Sequence, residues 1–246
     1  MDEMRRRRYL EAMGITAWVA RGQPGTDAAA PGAGLEEPPV AREDAPATPA
    51  TPATDEAIAE MDWQALEETV RGCRRCPLHE GRQQAVFGVG DRAADWMFIG
   101  EAPGAREDRL GEPFVGRAGQ LLDAMLAATG HSRQQVYIAN IIKSRPPDNR
   151  DPEPDEIAAC LPYLRRQVAL IRPRLLMLVG RIAAQTLLQT SAPIGRLRGR
   201  VHTVPELALP AVVTYHPAYL LRSPEQKARA WEDLRLAMAN LRESGT

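Results

Sequence analysis

From about residue 55 onward, apolar positions alternate between two patterns. Short continuous apolar runs bounded by turn residues read as strands buried on both faces. These are Trp96-Met97-Phe98-Ile99 ending at Gly100, Val136 to Ile142, Arg174 to Val179, and Ala211-Val212-Val213-Thr214-Tyr215. Between them, apolar residues recur at the spacing of one helical face. That spacing predicts helices over Ile58 to Val70, from Gly119 through Leu126, over Glu156 to Ile171, over Gly180 to Leu188, and over Pro224 to Leu241. Leu110 to Val115 and the proline-rich Ser144 to Pro154 read as loops, and a small hairpin is expected around Val201. Strand and helix alternate without an internal repeat. The expectation is an α/β fold with a parallel sheet and helices on both faces.

Upstream of residue 55 this patterning fails. Residues 22–54 are dominated by Ala, Pro, Gly and acidic side chains, including Ala45-Pro46-Ala47-Thr48-Pro49-Ala50-Thr51-Pro52. Such a stretch cannot bury a core and is expected to be a disordered linker. Residues 1–21 are basic and apolar. Tyr9-Leu10-Glu11-Ala12-Met13 reads as a brief helix stopped by Gly14, with Ile15 and Trp18 as exposed anchors. The chain therefore divides into a docking peptide (1–21), a linker (22–54) and a folded domain (55–246).

Composition changes this picture little. With 246 residues there is material for one sizeable core. A formal net charge of −1 removes the bulk basic signature of many nucleic-acid binders. Among the basic residues only Lys143 and Lys227 are lysine; the rest are arginine, whose planar fork suits phosphate. No apolar run of about eighteen residues is present, so no membrane span is expected. The basic N-terminus lacks the apolar segment of a signal peptide. A cytoplasmic protein is expected, and three cysteines suit free thiols or a metal site there.

The candidate chemistry lies just past two of the strands. Gly100-Glu101-Ala102-Pro103-Gly104-Ala105-Arg106-Glu107-Asp108 follows the first, and His216-Pro217-Ala218-Tyr219-Leu220-Leu221-Arg222 follows the last. Strand ends of an open α/β sheet are where such folds place ligands. A carboxylate and an imidazole delivered to one edge can act on a bond whose transition state separates charge. Cys73-x-x-Cys76 and Cys160 form a second group.

These motifs occur together with Gly111-x-Pro113-Phe114-Val115-Gly116, Asn140-Ile141-x-Lys143 and Arg145-Pro146-Pro147-x-Asn149-Arg150. In that order and spacing, the region from Cys73 to Leu241 resembles the family 4 uracil-DNA glycosylases, which carry an iron–sulfur cluster. The resemblance implies a three-layer α/β/α domain with a four-stranded parallel sheet. It implies hydrolysis of the N-glycosidic bond of deoxyuridine in DNA, with the nucleotide flipped out of the duplex. Glu101 would stabilise the sugar cation and orient water, and His216 would donate to uracil O2. Glu107 would wall off the pyrimidine C5 position, Phe114 would stack on uracil, and Asn140 would read its O4 and N3 edge. Leu220 or Leu221 would fill the gap left by the extruded base. Arg222, Arg145, Arg150 and Lys143 would neutralise phosphates.

Cys73, Cys76 and Cys160 match three of the four ligands of the implied [4Fe–4S] cluster, and Ser144 stands where the fourth cysteine is expected. That leaves several outcomes: a serine ligand, an open iron site, a three-iron cluster, His79 as a substitute ligand, or no cluster. Residues 5–21 resemble the N-terminal peptide of the psi subunit of bacterial DNA polymerase III. Docking on the clamp loader is the expectation. The protein is otherwise expected to act as a monomer on uracil-containing DNA. Two other functions stay open: a catalytically weak DNA-binding module tethered to the replisome, and a glycosylase for other deaminated bases.

Overall fold

The computed structural model describes residues 53–243. The proposed docking peptide and all of the linker but its last two residues lie outside them. The described chain begins with helices α1 (Asp55–Glu60), α2 (Trp63–Arg71) and α3 (Leu78–Gly81). A short strand β1 (Val89–Gly90) precedes β2 (Trp96–Gly100), α4 (Ala105–Leu110), α5 (Arg117–Ala128) and β3 (Tyr137–Asn140). Then come α6 (Pro154–Ile171), β4 (Leu175–Val179), α7 (Arg181–Leu188) and α8 (Ile194–Leu197). The hairpin β5 (Val201–Val204) and β6 (Leu209–Thr214) leads to α9 (Pro217–Arg222) and α10 (Lys227–Glu243).

The sheet has six strands in the order β1-β3-β2-β4-β6-β5. Its centre, β3-β2-β4-β6, is the expected four-stranded parallel sheet, with an antiparallel strand added at each edge. The two-residue β1 carried no periodicity to read. β5 is exposed on alternate positions, as an edge strand permits.

Successive side chains of a strand face opposite ways, and the core divides accordingly. Met97, Ile99, Leu176, Leu178 and Val213 pack under α1, α2, α6 and α7. Trp96, Phe98, Ile138, Met177 and Val212 pack under α5, α9 and α10. β2, β3 and β4 are buried throughout and β6 from Ala211 onward, which is why each reads as a continuous apolar run.

One predicted element divides, and two short helices appear where no element was expected. The helix expected over Ile58 to Val70 is two helices, because Asp62 accepts from the Ala65 N–H at 2.9 Å and starts a new one. The stretch before Gly111 is helical, ending where Gly111 adopts φ 74°. Pro217 opens a separate short helix, with its missing N–H at a position that needs none.

Candidate active site

The parallel strands bring their carboxyl ends to one edge of the sheet. β2 hands on Glu101, β3 ends at Asn140 beside Gly100, and β6 leads through Tyr215 to His216. A cleft of about 490 Å³ opens there, lined among others by Glu101, Glu107, Phe114, Asn140, His216 and Arg222. Two motifs over a hundred residues apart in sequence thus share one cavity of small-molecule size.

Glu101 is half-buried. Burial pushes its carboxyl up to about 7; the Asp151 charge adds to the rise and Arg181 opposes it. Asp151 and Arg181 form an ion pair with each other. A carboxylate titrating near neutrality is suited to general-base work.

His216 is driven the other way. Burial, then the nearby Arg222 charge, lowers it to about 4 against an opposing pull from Glu107. The imidazole is therefore neutral at neutral pH. Its Nδ1 accepts from the Ala218 N–H at 3.2 Å, so the proton of the neutral ring sits on Nε2. The turn into α9 selects the tautomer that can donate.

Phe114 packs tilted against His216, with ring centroids 5.5 Å apart. Its backbone is left-handed at φ 55°, a strained conformation for a residue with a Cβ. What holds it is Arg133, which donates to the Phe114 carbonyl at 3.1 Å, the Pro113 carbonyl at 2.6 Å and Asp123 Oδ1 at 3.0 Å. Arg133 lies in a short turn before β3, and nothing in its sequence context marked it. Glycine at two positions makes the approach feasible. A Cβ on Gly100 would come within 2.5 Å of Asn140 Oδ1 and 2.6 Å of Phe114 Cζ, and one on Gly119 would collide with the Phe114 carbonyl. Arg133→Ala is expected to lower kcat/KM for the reaction at this cleft by about 10²-fold through misplacement of Phe114. Arg133→Lys should restore little, because an ammonium lacks the fork. Steady-state kinetics of both variants checks this.

Asn140 is buried, and its Oδ1 has no hydrogen-bond partner. An orphaned buried acceptor is costly, so one facing a cleft implies a donor on the ligand. Glu107 Oε1 accepts from the N–H groups of Val115 at 3.1 Å and Gly116 at 3.4 Å, tying α4 to the Phe114 loop.

Two expectations need correction. Lys143 does not reach a phosphate. It is 2% exposed, and its ammonium donates to the carbonyls of Phe87 at 3.2 Å and Asn140 at 3.0 Å and to Gln167 Oε1 at 2.6 Å. Burial pulls it down to about 8. It ties the end of β3 to α6, and Lys143→Met is expected to destabilise the fold by about 2 kcal/mol by stranding those acceptors. Urea denaturation checks this. Leu220 is 1% exposed within the core and cannot serve as a wedge, whereas Leu221 is only partly buried.

Arg222 is exposed on the cleft wall. Arg150 also lines it, although two of its nitrogens are held by Glu156 at 2.8 and 2.6 Å. Arg145 bonds Asn149 Oδ1 at 2.8 Å.

The cysteines form a separate site. Cys73, Cys76, Cys160 and Ser144 line one small cavity that shares no residue with the cleft. Tyr163 Oη donates to Cys73 Sγ at 3.3 Å, and the Lys143 N–H donates to Cys160 Sγ at 3.2 Å. Burial pushes the Cys160 thiol up to about 12, so a metal ligated there must displace its proton. Among the described residues no three His, Cys, Asp or Glu side chains are placed to hold a metal ion together, and Ser144 adds only a harder oxygen beside the three sulfurs. His79 does not line this cavity, and its Nδ1 lies 2.8 Å from the Cys76 carbonyl.

Comparison with known proteins agrees with this geometry. The profile of the Uracil DNA glycosylase superfamily matches residues 87–235. The type-4 uracil-DNA glycosylase of Pyrobaculum aerophilum is 41% identical over 180 residues, covering 71% of this chain and 92% of the relative. That of Archaeoglobus fulgidus is 41% identical over 181 residues, covering 70% and 91%. The Thermotoga maritima enzyme is 38% identical over 186 residues, covering 74% and 96%. With carboxylate, imidazole, amide and aromatic ring converging at one sheet edge, and with this degree of likeness over most of the domain, the chain belongs to the type-4 uracil-DNA glycosylases.

Proposed function

We propose that this protein hydrolyses the N-glycosidic bond of deoxyuridine in DNA, releasing uracil and leaving an abasic site. The observation that carries the reading is the shared cleft of Glu101, Phe114, Asn140 and His216, with the Asn140 amide oxygen left for a ligand to satisfy.

As the glycosidic bond lengthens, positive charge grows on the deoxyribose and negative charge on uracil. Ionised Glu101 stabilises the first and accepts a proton from the attacking water. The Nε2–H of His216 donates to uracil O2 as the second develops. Because the ring starts neutral, it meets the growing anion as a fixed donor rather than a cation seeking to lose its proton. Asn140 accepts from uracil N3–H and donates to O4, and Phe114 stacks on the base. Glu107 closes the side of the pocket where thymine carries its methyl group. Arg222 and Arg150 face the DNA backbone, and Leu221 fills the gap left by the flipped base.

Residues 5–21, outside the described structure, would dock on the clamp loader; capture by clamp-loader proteins that Trp18→Ala weakens is the expected result.

The decisive assay is alkali-sensitive cleavage of an oligonucleotide with a single uracil, run beside substrates carrying hypoxanthine or xanthine. Excision of uracil alone is expected. Binding of folded protein to DNA without excision would favour a tethered DNA-binding module instead, and preference for another base would move the substrate assignment.

A further inference from the structure

Behind the cleft, one buried ion pair has no part in the chemistry described above. Asp233 of α10 is 0% exposed, and the side chain of Arg198, which follows α8, is 10% exposed. Arg198 donates to Asp233 Oδ2 through Nε at 3.0 Å and Nη2 at 2.9 Å, and the Gly199 N–H donates to Oδ1 at 3.1 Å. Nη2 also donates to the Arg229 carbonyl. Removing two charges from water costs about as much as their attraction returns, so such a pair adds little net stability. What it does supply is a guanidinium plane with no freedom to turn.

That plane lies over the ring of Tyr215, with Cζ 4.9 Å from the ring centroid. Tyr215 immediately precedes His216, and its ring packs on Tyr219, one turn beyond His216, with centroids 5.1 Å apart. The two rings bracket the turn in which the Ala218 N–H meets His216 Nδ1. In the same turn the His216 carbonyl accepts from the Tyr219 and Leu220 N–H groups at 2.9 and 3.1 Å. The imidazole has little slack on its other sides. A Cβ on Gly180, just past β4, would stand 3.2 Å from His216 Cβ, and the Phe114 ring lies 5.5 Å from the imidazole. A tilt of Tyr215 would therefore shift the turn and loosen the bond that fixes the tautomer of His216.

We propose, building on the assignment of His216 as donor to uracil O2, that Arg198 and Asp233 are positioning residues for His216. The pair holds the Tyr215 ring in one plane through a cation–π contact. Tyr215 in turn holds His216 with Nδ1 on the Ala218 N–H and Nε2–H free to meet the base. Neither Arg198 nor Asp233 touches substrate.

The test uses the full chain with ¹⁵N-labelled histidine. Arg198→Met combined with Asp233→Leu removes the pair without leaving a buried charge unpaired. In the folded double variant, kcat for uracil excision should fall at least about tenfold with KM within about twofold of wild type. The His216 ring should change from a single Nε2–H tautomer to a mixture of both. A pair that only stabilised the fold would leave the tautomer of a folded variant as it was. Arg198→Lys keeps the charges paired but lacks the plane; it should give the same mixture, and it carries the test where the double variant fails to fold. Tyr215→Leu added to the double variant should cost little more activity, because all three changes interrupt one chain of contacts. Wild-type kcat, an unchanged single tautomer in the folded variants, or losses that add in full with Tyr215→Leu would overturn the proposal. The tautomer is read in the free protein. A wild type that excised no uracil would thus defeat the glycosylase reading, while the spectra would still decide the positioning of His216.

Discussion

Glu101→Gln is expected to lower kcat for uracil excision by about 10³-fold, with KM for the oligonucleotide nearly unchanged. The amide keeps the size and polarity of the carboxyl but carries no charge to oppose the sugar cation and accepts no proton from water. Single-turnover kinetics separates this from a binding effect. The wild type adds a signature of its own. Burial has raised Glu101 to about 7, and only the ionised form acts. The rate should therefore rise about tenfold per pH unit below pH 7 and level off above it. His216, held neutral down to about 4, contributes no limb in that range. A flat profile between pH 5.5 and 8.5 would remove Glu101 from the role of base.

The same shift has a consequence for stability. A carboxyl whose folded pKa lies above its unfolded value favours the fold while protonated. That contribution is present below the unfolded pKa near 4.5 and is lost as pH rises through about 7. Glu101→Gln should accordingly be more stable than wild type at pH 8 and equal to it at pH 4. Function here imposes a buried charge that the fold does not need.

Asn140→Leu is expected to lower kcat/KM on uracil by about 10³-fold, because the N3–H and O4 of the base would both lose their partners in a desolvated pocket. Thermal stability should stay level or rise. The Asn140 oxygen accepts from no protein donor, so replacing it removes no hydrogen bond within the fold. Calorimetry beside the kinetics reads both. A variant that lost activity and stability together would mark Asn140 as part of the scaffold rather than of the recognition surface.

Much of this protein was readable along the chain. Strands buried on both faces produce unbroken apolar runs, so β2, β4 and β6 were visible as such. Motifs at strand ends were legible because turns are local, and their order carried the family resemblance. The cysteine spacing, and the serine that interrupts it, needed no coordinates. Edge strand β1 was invisible because two residues hold no period.

Partnerships across the fold were not readable. Lys143 sits three residues from Asn140 in sequence and looked like a phosphate contact, yet packing of α6 over β3 turned its ammonium inward to Gln167. Leu220 and Leu221 are chemically identical neighbours. The docking of α9 on the sheet buried one and left the other partly open. Arg133 shows the same limit from the opposite side, since its fork closes on carbonyls nineteen and twenty residues upstream. Local propensity and periodicity depend on near neighbours and survive in a one-dimensional string. Burial, the pKa of Glu101 and the tautomer-bearing position of His216 arise from groups that only meet once the chain has closed, and the folded arrangement alone assigns them.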